Sequence, residues 1–178
     1  MKTTPIPEVE GAYVIDFDRH NDHRGYFQEV FSSIRYDANL PHVAQVNVSN
    51  SHKHVVRGLH VAHFNKLCTC VKGALFDVVV DVRKGSETFG KWAGIWLTDL
   101  NCKQVFVPAG CAHGFYAAED DTLLLYSQDG LYNPKLEWTL HWKDPIVDVR
   151  WPVAETYNVS EKDQRGVYLG DALEVLRG

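Results

Sequence analysis

Short stretches of strand type, broken every few residues by Gly, Asp, Asn or Pro, fill the middle of this chain and leave little room for helices. They run from AYVIDF at Ala12 through GYFQEVF at Gly25, VAQVNVS at Val43, HVVRGLH at His54 and KLCTCV at Lys66. ALFDVVVDVR at Ala74, KWAGIWLT at Lys91, QVFVP at Gln104, HGFYAA at His113 and TLLLYSQ at Thr122 continue the series. One flat sheet does not hold so many strands, whereas two sheets packed face to face bury them and limit exposed edges. The expected fold is therefore all-β, a jelly-roll or cupin-like β-sandwich with short peripheral helices. Alternation is clearest in ALFDVVVDVR, where Phe76, Val78, Val80 and Val82 share one face and Leu75, Asp77, Val79, Asp81 and Arg83 the other. That strand should have one apolar and one mixed face.

Helical pattern is confined to SSIRYDANL before Pro41 and to a stretch from Ser160 through Leu176, which Ser160 and Asp163 open as a capping box. Between the last strand and that stretch, EWTLHWKDPIVDVRWP is rich in Trp and broken by Pro145 and Pro152, so it should pack as an irregular cover. A chain of 178 residues with 45% hydrophobic content supports one well-buried core, and residues 1–178 are expected to form a single domain under this C-terminal cover.

Eighteen Lys and Arg against twenty-three Asp and Glu leave a net charge of −5, the wrong sign for a nucleic-acid binder. A mean hydropathy of −0.25 and the acids and prolines of MKTTPIPEVEG argue against a membrane protein or a secretory signal. A cytoplasmic location is expected. Cys68, Cys70, Cys102 and Cys111 do not have the spacing of a disulfide framework. Cys68 and Cys70 point to one face of a strand and read as packing residues.

The chemistry-bearing residues group around His60. From His60 the chain turns through Val61 to Asn65 and returns with Lys66, and a hairpin of that kind brings Arg57, His60 and Lys66 to one sheet opening. An imidazole flanked by two cations suits proton transfer beside a developing oxyanion or a phosphate. VPAGCAHGF has the P-x-G-x-x-H form of cupin turns that supply a metal ligand in His113. Its partners would be His60 or His63, but three residues apart on a strand those two face opposite ways, so metal binding stays open on these grounds.

Together, D-H-R-G-Y-F-Q-E, Q-V-N-V-S-N-S, V-V-R-G-L-H, K-L-C-T-C-V-K-G, F-D-V-V-V-D-V-R-K-G-S-E-T-F-G-K-W, V-P-A-G-C-A-H-G-F, L-Y-N-P-K-L-E and S-E-K-D-Q resemble the dTDP-4-dehydrorhamnose 3,5-epimerase family, in order from about Gly11 to Asp163. The resemblance implies a homodimeric jelly roll with no metal or organic cofactor, which inverts carbons beside the ketone of a nucleotide-linked 4-keto-6-deoxy sugar. It implies His60 as general base, Asp163 as its dyad partner, Tyr126 as proton donor and Lys66 at the enolate oxygen. It further implies Arg57 and His113 around the sugar diphosphate, Tyr132 stacked on the nucleobase, and Gln45, Asn47 and Glu137 as substrate contacts. Arg24 and Glu29 are implied to reach in from a partner subunit. Ala62, Ser127 and Gln128 depart from the family pattern beside the sugar site, which leaves open the substrate and whether C3, C5 or both are inverted. The alternatives are a metal-dependent cupin enzyme and a non-catalytic sugar-binding jelly roll.

Overall fold

A computed structural model describes residues 1–34 and 42–175, the side chains of 173–175 aside. Its strands are β1 (Lys2–Pro5), β2 (Tyr13–Asp16), β3 (Arg19–Asp22), β4 (Gly25–Gln28), β5 (Gln45–Ser51), β6 (Val55–Val61) and β7 (Lys66–Lys72). They continue as β8 (Ala74–Val80), β9 (Trp92–Thr98), β10 (Lys103–Val107), β11 (Ala112–Ala117), β12 (Thr122–Gln128), β13 (Trp138–Thr139) and β14 (Asn158–Val159). Each stretch expected from the sequence holds a strand; β1, β3, β13 and β14 are additional and are four residues or shorter. The expected helix before Pro41 falls largely outside the described residues.

Two sheets form a mostly antiparallel sandwich. One has the order β1-β2-β10-β7-β12-β5; the other has β13-β6-β11-β8-β9, with β14 added parallel to β6. β3 and β4 make a separate hairpin. Between the sheets lies a core of Val9, Cys68, Cys70, Leu75, Val79, Leu97, Val105, Phe115 and Leu124. A second core, with Leu59, Val78, Val80, Leu140, Val147 and Leu169, lies on the outer face of β8 beneath the C-terminal cover. Each fully buried leucine there is worth about 2 kcal/mol of burial, so the Trp-rich segment stabilises the sandwich as well as shielding it.

The alternation of β8 gives the apolar and mixed faces expected, with the inter-sheet core against one and the cover against the other. The mixed face is the inner one, and it carries Asp77 into the interior at 0% exposure. The C-terminal stretch is not one helix but two, α1 (Glu161–Gln164) and α2 (Leu169–Val175). A Cβ at Gly166 would lie 2.8 Å from the His141 backbone. Val167 exchanges hydrogen bonds there with Thr139 and His141, so pairing with the chain beside Leu140 replaces a continuous helix. No helix among the described residues is long and apolar enough to cross a membrane.

Candidate active site

Arg57, His60, Lys66, His113 and Tyr126 line one cavity of about 150 Å³, together with Ser49, Gly114, Phe115 and Leu124. Its walls come from both sheets. Lys66 opens β7 and, by the two-residue repeat, shares its inner face with Cys68 and Cys70. Leu124 and Tyr126 lie on the same face of β12, and Tyr126 pairs directly across from Cys68. His113 and Phe115 come from β11 in the opposite sheet, as do Arg57 and His60 from β6.

Arg57 and His60 are three apart and should face opposite ways. A bulge removes the conflict: from His113 to Phe115 is two steps on β11, but the paired residues on β6, His60 and Arg57, span three. Glycine is required at the bulge. Gly58 has φ +116°, and a Cβ there would meet Gly114 Cα at 2.7 Å and His113 O at 2.8 Å. The expected hairpin between His60 and Lys66 is not formed, since β6 and β7 belong to different sheets. Residues 62–65 cross between the layers, tied by Gly110 N–H to Ala62 O at 2.8 Å and by Asn65 to Asp129. The three side chains meet all the same, across the sandwich instead of along one sheet. His63 lies beyond the strand, exposed, with its ring edge against Phe64.

Behind His60 stands Asp163, 3% exposed, with Oδ1 2.7 Å from His60 Nε2. Its Oδ2 accepts from Gly58 N–H at 3.1 Å, while its own N–H donates to the Ser160 hydroxyl. The capping role and the dyad role thus coexist: the cap starts α1, and α1 holds the carboxylate on the imidazole. Burial alone would raise the Asp163 carboxyl, but the hydrogen bond and charge of His60, with Gly58 and Ser160, hold it below its ordinary value. An unfolded Asp titrates near about 3.9. The stabilisation from this group is therefore complete above that pH and is lost as pH falls through the lower folded value. Asp163→Asn is expected to cost about 1.5–3 kcal/mol near neutrality. Melting curves of both proteins against pH should show the gap closing only below about pH 4, and a gap unchanged down to acid would remove the charge from this account.

Burial lowers the Lys66 ammonium from its usual value, against the opposing charges of Cys68, Glu137 and Asp77. Burial also raises the Tyr126 phenol, with Cys68 and Glu137 adding to the rise and Arg57 opposing it. Near neutrality Tyr126 is a proton donor in waiting.

The remaining expected residues divide into two sets. Along the inner face of β5, Gln45 donates to Asn47 at 2.8 Å and Asn47 to Gln128 at 3.2 Å, a polar row leading away from the cavity. Tyr132 N–H donates to Gln45 Oε1 at 3.2 Å, and Tyr132 itself is 55% exposed. Asn133 N–H reaches Glu137 Oε1 at 3.4 Å, which keeps Glu137 on the same side. Arg24 and Glu29 are not brought to the cavity within this chain. Arg24 sits at the β3–β4 turn, exposed and paired with Asp22 at 2.6 Å, and Glu29 follows β4.

Ser49 is the polar lining residue the sequence reading missed. Its hydroxyl is buried with no hydrogen-bond partner among the described residues. The signal was present, because Ser49 continues the alternation of Gln45 and Asn47. A second imidazole–carboxylate pair also went unread: His113 Nε2 lies 2.9 Å from Asp77 Oδ2. The atoms among the described residues that could ligate a metal come from Cys68, Asp77 and His113, and not from His60 or His63 as the metal alternative required.

The dTDP-4-dehydrorhamnose 3,5-epimerase family model matches residues 7–171. A protein of that description from Methanothermobacter thermautotrophicus is 37% identical over 163 residues, 88% of each chain. A dTDP-4-dehydrorhamnose 3-epimerase from Streptomyces niveus is also 37% identical, over 97% of this chain and 86% of its own. The solved structure of an epimerase from Mycobacterium tuberculosis superposes with a TM-score of 0.93 at 37% identity, covering 98% of this chain and 92% of that one. With a matching sandwich, and a family model that spans every strand from β2 to β14, this chain belongs to the dTDP-4-dehydrorhamnose 3,5-epimerase family.

Proposed function

We propose that this cavity epimerises a dTDP-linked 4-keto-6-deoxy sugar at the carbons flanking its ketone, with His60 as base, Tyr126 as acid and Lys66 at the enolate oxygen. The observation that carries the reading is that His60 and Tyr126 line one cavity from opposite sheets. The C4 carbonyl makes the neighbouring C–H bonds acidic because the electron pair left behind spreads onto oxygen. Inversion then needs a base on one face of the resulting enolate and an acid on the other.

The ionised Asp163 can only accept, so a neutral His60 carries its proton on Nε2 and keeps the lone pair on Nδ1. Nδ1 takes the substrate proton, and the imidazolium formed is stabilised by Asp163. Lys66, buried in the cavity wall, offers its N–H groups to the oxygen where charge develops. Tyr126 delivers a proton from the far side. Arg57 and His113 hold the diphosphate end, Ser49 gives a sugar hydroxyl its missing partner, and Gln45, Asn47, Tyr132 and Glu137 follow the nucleotide along the β5 edge.

A homodimer completes the site in this reading, Arg24 and Glu29 arriving from the second copy. The exposed Val46 and Val48 of the edge strand β5, with Phe27 on the β3–β4 hairpin, favour such a contact. A cytoplasmic location fits a nucleotide-sugar substrate. Relatives described as 3,5-epimerases lie both above and below the 37% identity of the 3-epimerase relative, so experiment decides the number of carbons inverted. Incubation with a dTDP-4-keto-6-deoxyhexose in D₂O, followed by NMR, is expected to show solvent deuterium entering at C3, C5 or both with inversion. A sugar recovered without deuterium would refute the proposal and leave a binding module.

A further inference from the structure

Behind His113, which lines the cavity, Cys68 and Asp77 complete a buried group that the proton-transfer scheme does not use as a unit. One ligand atom from each lies within 4.8 Å of the other two. His113 Nε2 is 3.6 Å from Cys68 Sγ and 2.9 Å from Asp77 Oδ2. Asp77 is 0% exposed, and its Oδ1 has no hydrogen-bond partner among the described residues. A buried carboxylate oxygen left without a partner costs about 1–3 kcal/mol or more, so some positively charged or donating ligand would be favoured there.

We propose that Cys68 Sγ, His113 Nε2 and Asp77 form a three-ligand site for a zinc-class divalent cation, whose fourth position opens to the cavity and whose occupation stops the enzyme. A thiolate, an imidazole and a carboxylate are the donor types such a cation selects. Bonds of about 2.3 Å to sulfur and about 2.0 Å to nitrogen, at a tetrahedral angle, place those donors about 3.5 Å apart. The observed sulfur–nitrogen separation already meets this. Nitrogen and carboxylate would have to part by about 0.4 Å, as expected when a metal replaces the hydrogen bond between them. Binding releases the thiol proton and moves the imidazole proton to Nδ1. Asp77 on β8 and His113 on β11 come from adjacent strands of one sheet, and Cys68 on β7 from the sheet that faces it.

The inhibition rests on the proposed function, since the ion would take His113 from the substrate and set a dication beside Lys66. Lys66, buried and two residues from Cys68, is also the cation that opposes binding. The metal site itself rests on geometry alone.

The test uses the full chain, reduced and stripped with a chelator, titrated with Co²⁺. A thiolate-to-cobalt charge-transfer band in the near ultraviolet should saturate at one equivalent and be displaced by Zn²⁺. Cys68→Ala, with Cys70, Cys102 and Cys111 intact, should lack the band and bind Zn²⁺ more than about tenfold more weakly, the loss that even outer partners of a ligand produce. Cys68→Val, closer in volume, guards against a folding defect and should behave alike. Zn²⁺ should stop epimerisation by the wild type, reversibly with EDTA, and spare both variants. No band in the wild type, or a band that persists in either variant, overturns the site. A wild type that works at full rate when saturated with Zn²⁺ overturns its inhibitory role. If the metal-free protein moves no substrate proton yet forms the band, the failure belongs to the proposed function and the metal site stands.

Discussion

His60→Ala is expected to abolish deuterium entry at every carbon of the sugar, a loss of at least about 10²–10⁴ in rate, the usual contribution of a positioned base. The substitution should act on chemistry more than on folding. His60 is 35% exposed at its side chain and packs as part of the cavity wall instead of a core. What it leaves behind is Asp163 Oδ1, buried and without its partner, at a cost of about 1–3 kcal/mol that circular dichroism and melting would register separately. His60→Gln supplies a control, because an amide can donate to Asp163 yet cannot take a proton from carbon. Both variants should therefore be inert, with the second the more stable. Exchange in either within about tenfold of wild type would move the base elsewhere, and His113, already paired with a carboxylate of its own, would be next to test.

How far the sequence led is clearest along β6. The alternation of HVVRGLH marks a strand, and the family resemblance selects Arg57 and His60 from it. Neither reveals that both point the same way, because the bulge depends on a register with β11 and on Gly58 meeting Gly114 across the pair. Local spacing carries no information about such a partner. The same limit explains the hairpin that was expected between His60 and Lys66. A five-residue connection is as compatible with a turn within one sheet as with a crossing between two, and the hydrogen bonds of Asn65 to Asp129 that decide it join residues 64 apart. Asp77 was legible as an acid on a mixed face, and its place beside His113 was not, since 36 residues separate them. By contrast, the cap at Ser160 is local and was readable, and so was the polar face of β5. That reading stopped at Asn47, one alternation short of Ser49.

Tyr126→Phe should separate proton removal from inversion. His60 and Asp163 remain, so deuterium still enters from the face His60 serves, whereas delivery to the opposite face loses its donor and inverted product falls by about 10²–10⁴. The expected record by NMR is substrate that carries deuterium with its original configuration. Inversion depends on the phenol being protonated and standing on the far wall. Tyr126 stands on β12 and His60 on β6, in different sheets that face each other across the cavity. Burial raises its pKa above the ordinary tyrosine value near about 10, so the donor form persists throughout the neutral range and the alkaline limit of inversion should lie above that value. Removing one hydroxyl leaves the ring beside Cys68 and Leu124, so the cavity wall keeps its shape. A variant that inverts as fast as it exchanges would place the acid on another residue of the same wall, where Lys66 and Ser49 are the remaining lining groups with a proton to give.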